Sequence, residues 1–207
     1  RPVTLNSPFP GWAEEDPNKW WQNVIEIIAE LMSKANVTPK QIRAIGTTGM
    51  LPAVVLLDSE GKVLRPSIQQ SDGRCGEQIQ ELKSELIESD FIKKTGNGIN
   101  QQLVAAKLRW VEKYEPEVFA QIETVFGSYD FINWKLTGKK AVEQNWALEA
   151  GFVDTTTGLI SDELIAIGHI HPTAVPRKIV SHSILGKINE DAASATGLTK
   201  NTLVVGG

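Results

Sequence analysis

The chain has 207 residues, of which 41% are hydrophobic and 22% charged, with a formal net charge of −4. That length holds one large domain or two small ones with a sizeable core, in the composition range of ordinary globular chains. The charge excludes a basic stripe for nucleic acid or an anionic membrane, and no run reaches the roughly 18 apolar residues of a membrane span. A single cysteine, Cys75, excludes an internal disulfide framework and fits a reducing cytoplasm. His169, His171 and His182 lack an HExxH spacing or a cysteine partner, so no metal site is expected. The chain opens at Arg1 without a Met, which leaves a removed leader open.

In chain order, residues 1–6 alternate with Val3 and Leu5 apolar and predict a short strand. Ser7 to Gly11 is a turn-rich connector. Asp16 followed by Pro17 reads as an N-cap and a first helical position. Trp20, Val24, Ile27, Ile28 and Leu31 then form one apolar stripe, predicting a helix over 17–34 packed on a core. Strands are expected over 42–48 and 53–57, with Asp58-Ser59-Glu60-Gly61 as a hairpin turn. Residues 77–86 read as an amphipathic helix, and Gly96-Asn97-Gly98 breaks the chain. Helices are expected over 102–114, 116–122, 129–136 (ended by Gly138), 161–167 and 191–196 (stopped by Gly197). Short apolar strands fall at 125–126 and 203–205. The mixture predicts an α/β or α+β domain with both sheet faces covered. An apolar strand running into Gly206-Gly207 is a usual approach to a ligand loop and suggests a fragment.

Several segments carry a more specific signal. PGWAEEDPNKWW (10–21), IGTTGMLPAVVLLD (45–58), VLRPSIQQSDGRC (63–75), TGN (95–97), KLRWVEK (107–113), DFINWKLTG (130–138), ATGL (195–198) and LVVGG (203–207) follow one another in this order. Together they resemble the FGGY carbohydrate kinases, the xylulose kinases in particular, over essentially the whole chain. The resemblance implies an actin-like, RNase H-like domain, the first of two, that faces the sugar. It also implies that residues 1–207 are a partial domain. The family's opening strands with their DxGT phosphate loop, its catalytic Asp (expected just after Gly207) and its C-terminal ATP domain are not among these residues.

The reaction implied is phosphoryl transfer from MgATP to a sugar hydroxyl, with ATP and Mg bound mainly by the missing segments. No catalytic residue is assigned here, because Asp58, Asp72, Asp130 and Asp154 do not match the family's base. The implied partners are a small carbohydrate and the parent's own C-terminal domain, in the cytoplasm, with a homodimer as a possible assembly. Met50, Leu51 and Pro52 match the substrate loop by position, but stand where xylulose kinases have Gln-Met-His. Gln70 replaces an aromatic residue. Gln102, five residues before the signature Lys, stands where relatives carry Tyr or Gly. Asn145, in Glu143-Gln144-Asn145-Trp146, departs from a usual Asp-x-Ser/Thr. Buried hydrogen bonds to substrate hydroxyls decide specificity strongly, so xylulose is the default and another ketose, a polyol or a sugar acid stands beside it.

Each candidate has a plainer reading. Asp72 and Arg74 line the pocket or form a structural ion pair. Gln70 and Gln102 bind sugar or are solvated surface. Met50, Leu51 and Pro52 wall the pocket or pack in the core. Asn97 reads as a turn residue. Asn145 and Trp146 serve the site, cap a helix end or pack. Trp12, Trp20, Trp21, Trp110 and Trp134 read as core aromatics. The rival to an enzyme piece is a non-catalytic sugar-binding or regulatory protein with the same fold.

Overall fold

The computed structural model of the protein describes residues 1–206. Residues 1–5 form no strand, contrary to the alternation of Val3 and Leu5. Both side chains are exposed and no neighbouring strand lies beside them among the described residues. Pairing begins with a single bridge between Asn6 and Glu14. Strand β1 (Glu14–Glu15) follows. Helix α1 (Pro17–Ala35) starts as expected: the Asp16 carboxylate accepts the Asn18 N–H at 2.9 Å, and Asn36 in the left-handed region closes the other end.

Strands β2 (Ala44–Gly46), β3 (Val55–Leu57) and β4 (Ser67–Ile68) come next. Asp58 makes the turn after β3, its carboxylate accepting the N–H groups of Glu60 and Lys62, with Gly61 at φ +80°. Helices α2 (Gly76–Glu85), α3 (Glu88–Thr95), α4 (Val104–Tyr114) and α5 (Pro116–Phe119) follow. Then come β5 (Thr124–Phe126), α6 (Ser128–Thr137), β6 (Val142–Glu143), α7 (Gln144–Glu149), β7 (Val153–Asp154) and β8 (Leu159–Ile160). The chain continues through α8 (Asp162–Ala166), β9 (Lys178–Ile179), β10 (Ile184–Lys187), α9 (Glu190–Thr196) and β11 (Leu203–Val205).

Strands β10, β11 and β2 form a sheet in which β11 runs parallel to β2, with Val204 opposite Ile45. A parallel pair delivers its two following loops to the same end, where open α/β sheets bind ligands. Antiparallel β3 and β5 pair Leu56 with Val125, and a bridge from Val54 to Ile68 extends this layer toward β4 and β1. Leu56, Leu108, Phe126, Phe131 and Trp146 are fully buried at its centre.

The apolar stripe of α1 is only half covered, contrary to the expectation of a packed face. Ile27 and Leu31 are 37% and 59% exposed. With Ile45, Ile132 and Leu198 they border an open apolar groove of about 490 Å³. The groove runs along β2, an edge strand paired on one side only among the described residues. It is long and aliphatic, with few of the convergent polar groups a sugar site needs.

Candidate functional site

The loop after β2 carries Thr47 to Pro52 to the C-terminal end of the parallel pair. Met50 is 58% exposed, Leu51 half-buried and Pro52 buried. Ser128, at the first turn of α6, donates its hydroxyl to the Met50 carbonyl at 3.2 Å. A cavity of about 280 Å³ opens here, lined by Glu15, Trp20, Thr48, Met50, Gln69 and Tyr129 among others. The Glu15 carboxylate in its wall accepts the Trp20 indole N–H at 2.7 Å. Gln69, Ser128 and Tyr129 were not singled out in the sequence. Gln69 stands next to Gln70, and an aromatic residue at a helix start reads as core.

Gln70 and Gln102 are both half-buried, and neither side-chain amide has a hydrogen-bond partner among the described residues. They sit on two segments that the core ties together. The Cys75 thiol points at the Gln101 carbonyl, 3.8 Å away, and the Lys107 ammonium donates to the Gln69 carbonyl at 2.7 Å. Burial raises the Cys75 thiol above its ordinary pKa, so it stays neutral. A small polar recess lies beside Gln102, Asn97 and Glu149. Asn97 itself donates to the Leu148 carbonyl at 2.7 Å and so ties the loop after α3 to the last turn of α7.

Asp72 and Arg74 face the interior. Their side chains are fully buried and paired through two bonds, Nε to Oδ1 at 2.8 Å and Nη2 to Oδ2 at 2.7 Å. Asp72 also accepts the Ala13 N–H at 2.6 Å. The Arg74 guanidinium lies 3.7 Å from the Trp12 ring centroid and 4.8 Å from that of Trp110, with Nη1 2.8 Å from Glu14. Glu14 in turn binds Arg65. Burial pushes the Asp72 carboxyl up, but its bonds to Arg74 and Ala13 outweigh this and hold it below the usual range. Every strong acceptor direction on Asp72 is used, so the pair frames the corner that presents Gln70.

Asn145 is exposed at the start of α7 and reaches the Ser181 hydroxyl at 3.3 Å. Its amide donates to Glu143, a fully buried carboxylate that also accepts from Tyr129 at 2.8 Å and from Ser181 at 2.5 Å. This network joins α6, α7 and the loop after β9 behind the cavity. Trp146 is wholly buried, its indole N–H donating to the Ala53 carbonyl at 2.9 Å, next to Pro52.

Asp130 lies under the same network. Burial pushes its carboxyl up to about 8, against the pull of the Glu143 and Gly127 N–H groups. A carboxyl that is neutral in the fold but ionised in the unfolded chain above about pH 4 removes stability as the pH rises toward its folded value. The difference in Tm between wild type and Asp130→Asn should therefore fall steadily from about pH 5 to pH 8. A pH-independent gap in thermal melts would contradict this.

The arrangement is a half-open recess at the ends of parallel strands, walled by Trp20, Val24, Met50, Tyr129 and Ile132 with Glu15, Thr48, Gln69 and Ser128 as its polar groups, while the unpartnered amide of Gln102 lines the separate recess beside Asn97. Chemically it suits a small, neutral, hydroxyl-bearing ligand. Asp58, Asp72 and Asp154 are engaged in turns or pairs away from the cavity wall, and Asp130 is buried behind it.

The family described as "FGGY family of carbohydrate kinases, N-terminal domain" matches residues 1–207, and the chain belongs to that family. The xylulose kinase of Escherichia coli (strain K12) is 30% identical over 205 residues, which is 99% of this chain and 42% of that protein. The crystal structure of xylulose kinase from Rhodospirillum rubrum superposes with a TM-score of 0.95 at 54% identity, covering all of this chain and 43% of that one. Gluconate kinase from Lactobacillus acidophilus superposes at 0.90 with 25% identity, over 99% of this chain and 41% of its own. The fold is thus the actin-like, RNase H-like α/β fold of these kinases' first domain. The chain spans less than half the length of the relatives it matches.

Proposed function

We propose that the parent of this chain phosphorylates a hydroxyl of a small carbohydrate at the expense of ATP, and that these residues supply most of the sugar pocket. The observation that carries this reading is the cavity beside Met50 at the end of β2, whose loop is tied through Lys107 and Cys75 to the segments that bear Gln70 and Gln102. In it, the aliphatic loop packs on the carbon skeleton of the sugar. The free amides of Gln70 and Gln102 donate to and accept from its hydroxyls. Asp72, Arg74 and the Glu143 network hold these groups in place.

Xylulose is the first candidate substrate. The loss of a polar side chain at Pro52 and the gain of two amides favour a shift in which hydroxyls are read, so another ketose, a polyol or a sugar acid belongs in the same trial. MgATP supplies the phosphoryl group and its charge neutralisation when bound. No three His, Cys, Asp or Glu side chains converge on a metal position among the described residues. We place the nucleotide mainly on the rest of the parent, including a C-terminal domain, and take 1–207 as part of the first domain, a reading supported by the N-terminal-domain family match. A cytoplasmic enzyme suits the lone buried thiol.

The test is a coupled ADP-release assay of the parent with D-xylulose, other ketoses, polyols and sugar acids. Saturable turnover of one class, with none from residues 1–207 alone, is the expected result. Sugar binding by calorimetry without turnover would favour the non-catalytic binding protein, which the apolar Met50–Pro52 loop makes the second reading.

A further inference from the structure

Resting on the kinase reading above, we propose that Lys107 is a positioning residue for the sugar site: its ammonium pins the Met50–Pro52 loop and the Gln69–Asp72 corner to the helix that follows Gln102. Lys107 is fully buried on α4 among Val104, Ala105, Ala106 and Leu108. An apolar side chain of similar length would fill that space with no charge to desolvate. The ammonium donates to two main-chain carbonyls on separate loops, Gln69 at 2.7 Å and Pro52 at 3.4 Å. No carboxylate bonds to it among the described residues. Asp72 is close enough to be felt, but its oxygens are taken by Arg74 and Ala13.

A buried cation that finds only backbone carbonyls fixes where those backbones lie. Here they are the backbones from which Leu51, Pro52 and Gln70 project. A displacement of about 1 Å in a binding constellation costs orders of magnitude in rate or affinity. Lys107 touches no part of the cavity itself, so it acts through the two loops.

The same bonds give the site a pH response. Burial pulls the Lys107 ammonium down to about 8. Above that pH the neutral amine still donates, but charge-assisted hydrogen bonds are roughly twice as strong as neutral ones. The groups facing Lys107 are Asp72, Arg74 and Cys75. Asp72 is held below its usual range, and Arg74 and Cys75 above theirs, so none of the three changes charge near pH 8.

The experiment uses the full-length parent and the sugar of the trial panel with the highest kcat/KM, D-xylulose first. Lys107→Met should raise the sugar KM roughly tenfold and leave the ATP KM within about twofold. The wild-type sugar KM should climb severalfold between about pH 7 and 9, and that climb should vanish in the variant. A role confined to stability would lower Tm and leave the sugar KM and its pH profile alone. A sugar KM unchanged in Lys107→Met, or a climb that persists in it, overturns the assignment. Should the variant and Lys107→Gln both fail to fold, the wild-type profile decides. A sugar KM level across that range overturns the assignment, and a climb that Asp130→Asn leaves in place supports it. Absence of turnover with every sugar sinks the kinase reading alone, and the same comparison is then read on the sugar Kd by calorimetry.

Discussion

Arg74→Ala should cost the domain about 3–5 kcal/mol, the penalty for breaking a fully buried ion pair by removing one partner. The side chain fills the space between Trp12 and Trp110 and neutralises both Asp72 and Glu14. Its loss strands two carboxylates in the core and leaves Arg65 as the one cation on Glu14 among the described residues. For a domain of this size the melting temperature should drop by about 10 °C. Asp72→Asn should cost less, because the amide oxygen still accepts one N–H at the corner. The wild-type pair also loses support in acid. Asp72 is depressed, so its contribution is present above its unfolded value near pH 4 and fades as pH falls through the folded one. Equal Tm values for wild type and Arg74→Ala in scanning calorimetry would refute this view of the corner.

Trp146→Ala carries the second large effect, about 3–5 kcal/mol for deleting a buried indole. The ring packs edge-on against Phe152, its centroid 5.9 Å away, and touches Gly127, where a β-carbon would collide with it. It also holds the Ala53 carbonyl. Trp146→Phe keeps most of the volume but orphans that carbonyl, so about 1–3 kcal/mol should remain. Ala53 follows Pro52 directly, and both variants should therefore raise the parent's sugar KM as well as lower Tm. A lower Tm with an unaltered sugar KM would separate Trp146 from the site.

These two residues mark the limits of sequence reading. The Asp16 cap with Pro17, the Asp58–Gly61 turn and the glycine stops at Gly138 and Gly197 are local signals, and each element they bound formed. Helix α3 was missed because only Phe91 and Thr95 of its eight residues are fully buried, too short a stripe to show a period. Helix α7 was missed because its burial is set by Trp146 meeting Ala53, ninety-three positions away. The alternation at Val3 and Leu5 misled because a strand needs a neighbour, which sequence alone does not supply. The α1 stripe was legible as a stripe, but its degree of cover depends on what lies along β2.

The site was legible to the same degree. Motif order proposes the Met50–Pro52 loop, Gln70 and Gln102 as sugar-facing, and the structure puts the loop at the end of β2 and both amides half-buried. Whether Asp72 and Arg74 face a ligand or each other is decided by Trp12 and Ala13, contributed from a distant stretch of chain. Lys107 does leave a trace in the sequence: a lone cation in Leu103-Val104-Ala105-Ala106-Lys107-Leu108.

The most direct test of the proposed sugar pocket is steady-state kinetics of the full-length parent with Gln70→Ala and Gln102→Ala, reading sugar and ATP separately. Each loses hydrogen bonds to hydroxyls, worth about 0.5–1.5 kcal/mol apiece for a neutral pair. The sugar KM should rise roughly three- to tenfold in each variant, with the ATP KM unchanged. Sugar KM values equal to wild type in both variants would place the sugar elsewhere and contradict the pocket described here.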